Sequence, residues 1–372
     1  MNPREIDTTE RPFVLIWEVT QACELACKHC RADAEPLRHP DELTTAEGKQ
    51  FLEEARRFGD EQLVVLSGGD PLAREDTVEL IDHGTDIGLR MTLTPSGTAS
   101  LTPERIQDLA DAGLRRMALS IDCGSEAAHD EFRQEGGSFE QTLQAARATR
   151  AAGLPLQINT TVCAETVDEL PAIRELVADL GAVLWSVFFL VPVGRGRVLD
   201  PISPDRAECV MEWLCDVADD APFGVKTTEA PHYRRVALQR RDEPEGVSHS
   251  SPDGIGRRMG VTAGNGFAFV SYLGDVYPSG FLPDTAGNVR EEGIVDVYRD
   301  SNLFQSLRDS DALRGKCGAC EYRHVCGGSR SRAYAYTQDP LASDPLCAYV
   351  PDEYNGPLPE QSFSTRDASS AD

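Results

Sequence analysis

The sequence contains very little lysine. Only 4 of its 36 basic residues are Lys, and 62 acidic residues bring the formal net charge to −26. Sequence-independent binding to nucleic acid or to an anionic membrane requires a clustered excess of positive charge, so the composition excludes both partners. The hydrophobic fraction of 40% is ordinary for a globular protein. It excludes an acidic, intrinsically disordered chain.

The sequence also lacks a long hydrophobic run. Residues Met1–Thr9 are polar and charged, unlike a signal peptide. The longest apolar stretch, Val183–Val193, is interrupted by Ser186 and Pro192 and is too short to cross a bilayer. We therefore expect a cytoplasmic protein, in which thiols stay reduced. In that setting the 11 cysteines indicate metal binding or catalysis more than disulfides.

The charge pattern has two interpretations. An acidic surface keeps any protein soluble, because like charges repel. The combination of excess carboxylates with arginine in place of lysine favours a halophilic protein, adapted to a cytoplasm of high salt concentration. That hypothesis predicts a melting temperature that rises with KCl, whereas a protein equally stable without salt would contradict it.

Short β-prone runs alternate with amphipathic helical windows in the first part of the chain. Six strand–helix units at regular spacing indicate an α/β fold with a parallel sheet and crossover helices. The span is shorter than an eight-stranded barrel needs, which leaves a partial barrel or a doubly wound sheet. The predicted strands are Phe13–Val19, Gln62–Leu66, Arg90–Thr94, Arg116–Ile121, Leu156–Val162 and Val183–Val191.

The rest of the chain divides into three parts. Residues 236–262 are rich in Pro, Gly, Ser and charge and are predicted to form a linker after a first domain at 1–235. Residues 263–350 begin with a predicted hairpin and contain a second group of cysteines, which indicates a small cysteine-rich domain. Residues 351–372 are predicted to be a disordered acidic tail.

Three cysteines follow the first predicted strand in the pattern Cys-x3-Cys-x2-Cys: Cys23, Cys27 and Cys30. Three thiolates on one loop can bind three irons of a 4Fe–4S cube and leave the fourth iron open for chemistry. Zinc is an alternative, but a structural zinc site needs a fourth protein ligand, and His29 lies awkwardly beside Cys30. Spacing alone favours iron–sulfur and leaves zinc and buried thiols open.

A glycine pair and a carboxylate follow the second predicted strand, in Ser67-Gly-Gly-Asp-Pro71. Glycines at the end of a strand let backbone carbonyls approach a ligand closely, and a carboxylate suits an ammonium group. Together with the cysteine triplet before it, this motif resembles the radical SAM (S-adenosylmethionine) superfamily. The resemblance extends over nearly the whole chain. The resemblance implies a partial six-stranded parallel (β/α) barrel and a 4Fe–4S cluster on the triplet. It also implies that the amino group of SAM is held by Gly68, Gly69, Asp70 and Pro71.

The resemblance implies further SAM-binding positions near the ends of later strands. They are expected to contact the ribose and the carboxylate of SAM, and the segment Val191–Gly196 is expected near its adenine. Each of these residues also has an ordinary explanation as a turn, cap or surface residue. The expected SAM contacts are Ser96, Ser120, Asp122, Arg133 and Asn159.

The second cysteine group comprises Cys317, Cys320, Cys326 and Cys347. Four thiolates can ligate one iron–sulfur cube or one zinc ion, and spacing does not separate the two. This region resembles the SPASM domain, which carries auxiliary iron–sulfur clusters in many radical SAM enzymes. The resemblance therefore favours one auxiliary 4Fe–4S cluster.

Two serines depart from the SPASM pattern. Ser279 and Ser329 stand where many relatives place cysteines, and a full SPASM domain holds two auxiliary clusters. We therefore predict one fully ligated auxiliary cluster, or at most a second one with an unusual serine ligand.

The resemblance implies the reaction of the superfamily: a reduced cluster cleaves SAM and yields a 5′-deoxyadenosyl radical, which abstracts hydrogen from a substrate. The electron donor is expected to be a ferredoxin or a flavodoxin. Similarity is greatest to the haem-pathway subgroup, which implies a tetrapyrrole propionate as substrate. His232 is then a candidate axial ligand, and Arg234 and Arg235 are candidate partners of propionates. The alternatives are a peptide-modifying maturase and a non-catalytic iron–sulfur electron-transfer or scaffold protein.

Overall fold

A computed structural model of the chain describes residues 7–240 and 261–360. Within these residues, ten strands form a single sheet. The first seven are β1 (Val14–Thr20), β2 (Leu63–Gly68), β3 (Arg90–Leu93), β4 (Arg116–Ser120), β5 (Leu156–Val162), β6 (Leu184–Phe189) and β7 (Gly224–Thr228). The last three are β8 (Phe267–Val270), β9 (Asp275–Tyr277) and β10 (Gly287–Asn288).

Helices connect the strands and cover the outside of the sheet. Those of the first part are α1 (Thr45–Arg56), α2 (Thr77–Asp86), α3 (Pro103–Asp111), α4 (Glu126–Arg133), α5 (Ser138–Ala151), α6 (Leu170–Asp179), α7 (Pro204–Asp220) and α8 (Tyr233–Gln239). The later ones are α9 (Ile294–Asp300), α10 (Asn302–Arg308), α11 (Gly315–Ala319) and α12 (Arg330–Thr337). No helix within residues 7–240 and 261–360 is long and apolar enough to cross a membrane.

The sheet runs in the order β10-β9-β8-β1-β2-β3-β4-β5-β6-β7. Strands β1 to β7 pair in parallel in chain order, as expected for strands joined by crossover helices. The predicted α/β fold with a mostly parallel sheet is confirmed, and all six predicted strands are present. A seventh parallel strand, β7, was not predicted, because Gly224-Val-Lys-Thr-Thr contains a single large apolar residue.

The C-terminal hairpin extends the same sheet. Strand β8 pairs in parallel with β1 and antiparallel with β9, so the first strands of the predicted small domain continue the barrel sheet. The predicted linker at 236–262 starts too early, because helix α8 runs to Gln239, and residues 241–260 lie outside the described residues. Of the predicted tail, residues 351–360 contain no helix or strand, and residues 361–372 lie outside the described part.

Local sequence signals explain why the crossover helices begin where they do. Thr44 and Glu47 form a reciprocal capping box at the start of α1, which satisfies two free backbone donors. The buried face of α1 then packs on β1, where Trp17 is fully buried against Phe51 with ring centroids 5.2 Å apart. Burying such aromatic surface stabilises the fold by about 2–3 kcal/mol per side chain. Because strands β1 to β7 are parallel, their carboxyl ends meet at one end of the barrel.

Candidate active site

The loop after β1 brings three cysteines to the inside of the barrel. Cys23, Cys27 and Cys30 all line one internal cavity, and the first two are buried. The Leu25 backbone N–H donates to Cys23 Sγ at 3.3 Å, and Arg133 donates to Cys27 Sγ at 3.6 Å. Donors aimed at sulfur stabilise thiolates. These three thiols on one loop beside a cavity have the donor set of a 4Fe–4S cluster with three protein ligands, although their placement among the described residues is not yet that of a metal site.

The glycine pair Gly68–Gly69 is required because the start of the cysteine loop packs closely against it. A Cβ on Gly68 would lie 2.4 Å from the Thr20 carbonyl oxygen, and one on Gly69 would lie 2.3 Å from that of Ala22. Gly68 also has φ of +148°, a conformation that other residues rarely adopt. Both glycines line the cavity. The motif therefore places bare backbone directly beside the cysteine loop.

Asp70 is buried under the loop and does not line the cavity. Its carboxylate accepts from the backbone N–H of Leu72 at 3.1 Å and of Ser96 at 3.3 Å, and from the Thr98 hydroxyl at 3.4 Å. Burial raises its pKa. Pro71 opens a short 3-10 helix immediately afterwards. In this structure Asp70 organises the turns that carry Gly69 and Ser96.

Asp122 and Arg133 form a buried ion pair beside the cysteine loop. Arg133 Nη2 lies 2.7 Å from Asp122 Oδ2, and the Thr161 backbone N–H donates to Asp122 Oδ1 at 2.7 Å. Burial alone would raise the pKa of Asp122, but Arg133 outweighs it and brings that pKa to about 2. Arg133 lines the cavity, whereas Asp122 lies behind it. The pair thus presents a cation to the cavity and keeps its carboxylate inside the wall.

Three other predicted SAM contacts also line the cavity. Ser96 Oγ lies 3.4 Å from Cys23 Sγ, and Ser120 and Asn159 follow on β4 and β5. The segment Val191–Gly196 packs on the cysteine loop, because Arg195 Nε donates to the Cys27 carbonyl at 3.0 Å. The predicted positions on five strands therefore converge around one space.

This cavity has a volume of about 390 Å³, in the range of small-molecule sites. It reaches from the cysteine loop, at the carboxyl end of β1, to the first residues of β2, β3, β4 and β6. It therefore runs through the length of the barrel interior. Six of the 13 phenylalanines line it: Phe13, Phe188, Phe189, Phe267, Phe269 and Phe281.

The four C-terminal cysteines line a separate, smaller pocket. Cys317, Cys320, Cys326 and Cys347 all face it, together with Arg235. Backbone N–H groups of Gly328 and Asp344 donate to Cys326 and Cys317, each at 3.4 Å. Burial raises the pKa of the Cys326 and Cys347 thiols. The four thiols share one pocket and have the donor set of a 4Fe–4S cube or a zinc ion, although the described residues contain no group of His, Cys, Asp or Glu already arranged to hold a metal ion.

The two serines that stand at cysteine positions, Ser279 and Ser329, form hydrogen bonds with the Glu229 carboxylate. Ser279 Oγ donates to Glu229 at 3.1 Å, Ser331 Oγ does so at 2.9 Å, and Ser329 Oγ also donates to it. Glu229 has φ of +55°, an uncommon conformation for a non-glycine residue, and it lines the large cavity. Because the hydroxyls of both Ser279 and Ser329 donate to Glu229, the structure does not support a second cluster with a serine ligand.

The three predicted substrate residues separate in space. Arg234 lines the large cavity, whereas His232 and Arg235 do not. His232 is fully buried 3.8 Å from Asp344, and burial lowers its pKa to about 4. Arg235 pairs with Glu208, and its guanidinium lies 5.0 Å from the centroid of the Tyr349 ring, beside the C-terminal cysteines. The predicted axial ligand and one predicted propionate partner therefore point away from the cavity.

Sequence reasoning missed six charged residues of the cavity: Arg31, Arg90, Arg116, Lys226, Glu229 and Arg330. Lys226 lies on the unpredicted strand β7, and Glu229 follows that strand. The rarity of lysine was the available signal for Lys226, because an isolated cation in a Lys-poor chain is unusual. Nothing in the local pattern marks Glu229, whose partners come from distant segments.

Comparison with known proteins agrees with this geometry. Residues 17–177 match the family model described as the radical SAM superfamily. The chain is 42% identical to the AdoMet-dependent heme synthase of Methanosarcina barkeri, over 93% of this chain and 99% of that protein. The chain belongs to the radical SAM superfamily, in its haem-biosynthesis subgroup. It is therefore an enzyme that uses SAM and a 4Fe–4S cluster, and the scaffold alternative is wrong.

Two further similarities are to a peptide cyclase and to a solved structure. The chain is 30% identical to the PqqA peptide cyclase of Bradyrhizobium diazoefficiens, over 91% of this chain and 87% of that protein. The solved structure of Streptococcus suis SuiB bound to S-adenosylmethionine superposes with a TM-score of 0.70 at 17% identity, covering 91% of this chain and 78% of that one. The SuiB likeness shows a shared fold.

Proposed function

We propose that this radical SAM enzyme removes carboxyl groups from propionate side chains of a tetrapyrrole such as iron-coproporphyrin. Cys23, Cys27 and Cys30 hold the catalytic 4Fe–4S cluster, and Gly68, Gly69, Ser96, Ser120 and Asn159 surround SAM, with Asp70 and Pro71 shaping its turn. When bound, the reduced cluster and SAM supply a 5′-deoxyadenosyl radical. A ferredoxin or flavodoxin is the proposed electron donor.

The single observation that carries the proposal is the composition of the large cavity. It joins the cysteine loop to an interior lined by six phenylalanines and several cations. Aromatic walls suit a planar macrocycle, and cations suit its carboxylates. The similarity to a protein named heme synthase points the same way.

The proposed reaction conserves atoms and electrons. The radical takes a hydrogen atom from the carbon β to the carboxylate and becomes 5′-deoxyadenosine. The remaining substrate radical releases CO₂ and one electron, which leaves a vinyl group. The C-terminal pocket provides a place for that electron, because we propose that Cys317, Cys320, Cys326 and Cys347 hold an auxiliary 4Fe–4S cluster. Cations around a cluster raise its potential, and Lys316 and Arg235 lie beside these cysteines.

An anaerobic assay tests this proposal. The reconstituted full-length protein is incubated with SAM, dithionite and iron-coproporphyrin, and the porphyrin is analysed by mass spectrometry. We expect 5′-deoxyadenosine and a porphyrin that has lost the elements of formic acid at each converted propionate. Production of 5′-deoxyadenosine with an unchanged porphyrin would contradict the proposed substrate.

Peptide modification is the second candidate, and the 30% identity to a PqqA peptide cyclase favours it. The same assay with candidate precursor peptides separates the two functions. A crosslinked or decarboxylated peptide, with an unchanged porphyrin, would support the peptide function.

A further inference from the structure

The large cavity has the opposite charge to the chain around it. The protein carries a formal net charge of −26. Among the described residues, however, the lining of the cavity contains seven arginines, one lysine and a single carboxylate, that of Glu229. The Glu229 carboxylate already accepts hydrogen bonds from three serine hydroxyls. The interior therefore holds more positive charge than the lining neutralises.

Six of the seven arginines contact groups of the protein itself, Arg234 among them, through the backbone carbonyls of Val325 at 3.2 Å and Val261 at 3.3 Å. Arg31 pairs with Glu18 at 2.8 Å, and Arg133 pairs with Asp122. Arg195 and Arg330 donate to backbone carbonyls around the two cysteine sites. These cations hold the walls of the cavity together.

Two of the arginines lie at the opposite end of the strands from the cysteine loop. Arg90 and Arg116 are the first residues of β3 and β4, at the amino ends of the strands. Arg116 Nη1 contacts Gln157 Oε1 at 3.4 Å. Ser120 is four positions after Arg116 on β4, which is a distance of about 13 Å at about 3.3 Å per residue. A macrocycle with carboxylates on its rim can span such a distance from the cysteine loop.

Lys226 lies among these cations. Its side chain lines the cavity from β7, and no hydrogen bond or ion pair to its ammonium group is found within the described part of the chain. Its charged neighbours are Arg116 on β4 and Arg234 on α8. Burial and these two cations lower the pKa of Lys226 to about 8. Such an arrangement costs folding free energy, and it is typical of a site built for an anionic ligand.

We propose that Lys226, together with Arg116 and Arg234 of the same cavity, binds carboxylates of the substrate inside the barrel. This subsite rests on the proposed function, because it supplies partners for the propionates of a tetrapyrrole that are not reacting. Lysine offers a point charge, whereas each arginine offers a fork that matches a carboxylate. Anchoring one edge of the macrocycle there holds another edge toward the cysteine loop.

Titration of iron-coproporphyrin into the reconstituted full-length protein, followed by absorbance, tests the subsite. We expect Lys226→Met to weaken binding about tenfold or more, because a charge-assisted contact is lost. Lys226→Arg keeps the charge and is expected to restore most of the affinity. Lys49→Met serves as the matched control, since Lys49 pairs with Glu79 on the outside of the protein.

Thermal unfolding of the same variants separates recognition from structure. Removing a half-buried cation that lies near other cations is expected to leave the melting temperature of Lys226→Met unchanged or higher. Equal affinity in the unaltered protein and Lys226→Met would overturn the subsite while the proposed function stands. A joint loss of affinity and melting temperature would also overturn it. Absence of binding to the unaltered protein would overturn the proposed function, and the subsite with it.

Discussion

The two cysteine sites of this protein use the same ligand in different surroundings. The loop triplet opens onto the 390 Å³ cavity, next to bare glycine backbone. The four C-terminal cysteines face a smaller pocket of their own. A site with three ligands beside a cavity leaves an iron open to SAM, whereas four ligands close a cluster to substrate. In the proposed function, ligand number and access, more than ligand type, therefore separate the catalytic site from the electron-transfer site.

Loss of one cysteine from the open site gives the largest expected effect. Cys27→Ala should abolish SAM cleavage, because an incomplete triplet cannot hold the catalytic cluster. Iron content should fall from about eight to about four per chain, since the C-terminal cluster is separate. Iron analysis and 5′-deoxyadenosine assays measure both. Cys209→Ala, at an exposed cysteine, is the control and should change neither.

The equivalent change in the closed site should separate the two reactions. Cys326→Ala is expected to lose about four irons per chain and to keep SAM cleavage, while substrate turnover falls about 100-fold. Electron paramagnetic resonance of the reduced protein would show one cluster signal remaining. Full turnover in this variant would contradict the proposed role of the C-terminal cluster, and a zinc content of one per chain in the unaltered protein would contradict the cluster itself.

The Asp122–Arg133 pair stabilises the wall of the open site. Asp122→Asn leaves Arg133 buried without its carboxylate, so the free energy of unfolding should fall by about 3 kcal/mol. Chemical denaturation measures this. Glu79→Gln, which breaks the Lys49–Glu79 pair on the surface, should cost less than about 0.5 kcal/mol. Equal effects of the two substitutions would contradict the importance of burial.

The pH dependence of the same pair follows from the pKa of Asp122. That pKa is about 2 in the folded protein, below the ordinary value of 3.8. A lowered carboxylate pKa gives stability that is complete above about pH 4 and is lost as the pH falls toward 2. The unaltered protein should therefore lose stability over this range, and Asp122→Asn should show a smaller loss.

The smallest predicted effect concerns the carboxylate of the large cavity. Ser331→Ala removes one of three hydroxyl donors to Glu229, and the free energy of unfolding should fall by about 1 kcal/mol. SAM cleavage without substrate should not change, because Ser331 is not among the residues that line the large cavity. A loss of SAM cleavage would show that the Glu229 network also supports the open site.

Six of the parallel strands were predictable because each contains two or more large apolar residues. Strand β5 was predicted with the bounds that the structure shows, Leu156–Val162. Strand β7 was not, because its inward-facing Lys226 and its two threonines resemble a surface segment. Polar side chains turned into a cavity break the hydrophobic pattern that identifies a strand. The missed strand is consequently one that lines the proposed substrate site.

The direction of side chains on α8 could not be predicted. Arg234 and Arg235 are neighbours in sequence, but successive helix residues point about 100° apart. Arg234 therefore reaches the large cavity, and Arg235 reaches Glu208 and the C-terminal cysteines. His232, just before the helix, is fully enclosed. The prediction grouped His232, Arg234 and Arg235 because they are close in sequence, but the fold separates their side chains.

Transfer of deuterium from substrate to cofactor tests the central claim most directly. Iron-coproporphyrin with deuterium on the propionate carbons is incubated anaerobically with SAM, dithionite and the reconstituted protein. If one cavity joins the cysteine loop to the tetrapyrrole, deuterium will appear in 5′-deoxyadenosine. Formation of 5′-deoxyadenosine without deuterium, at the rate seen when porphyrin is absent, would contradict the account.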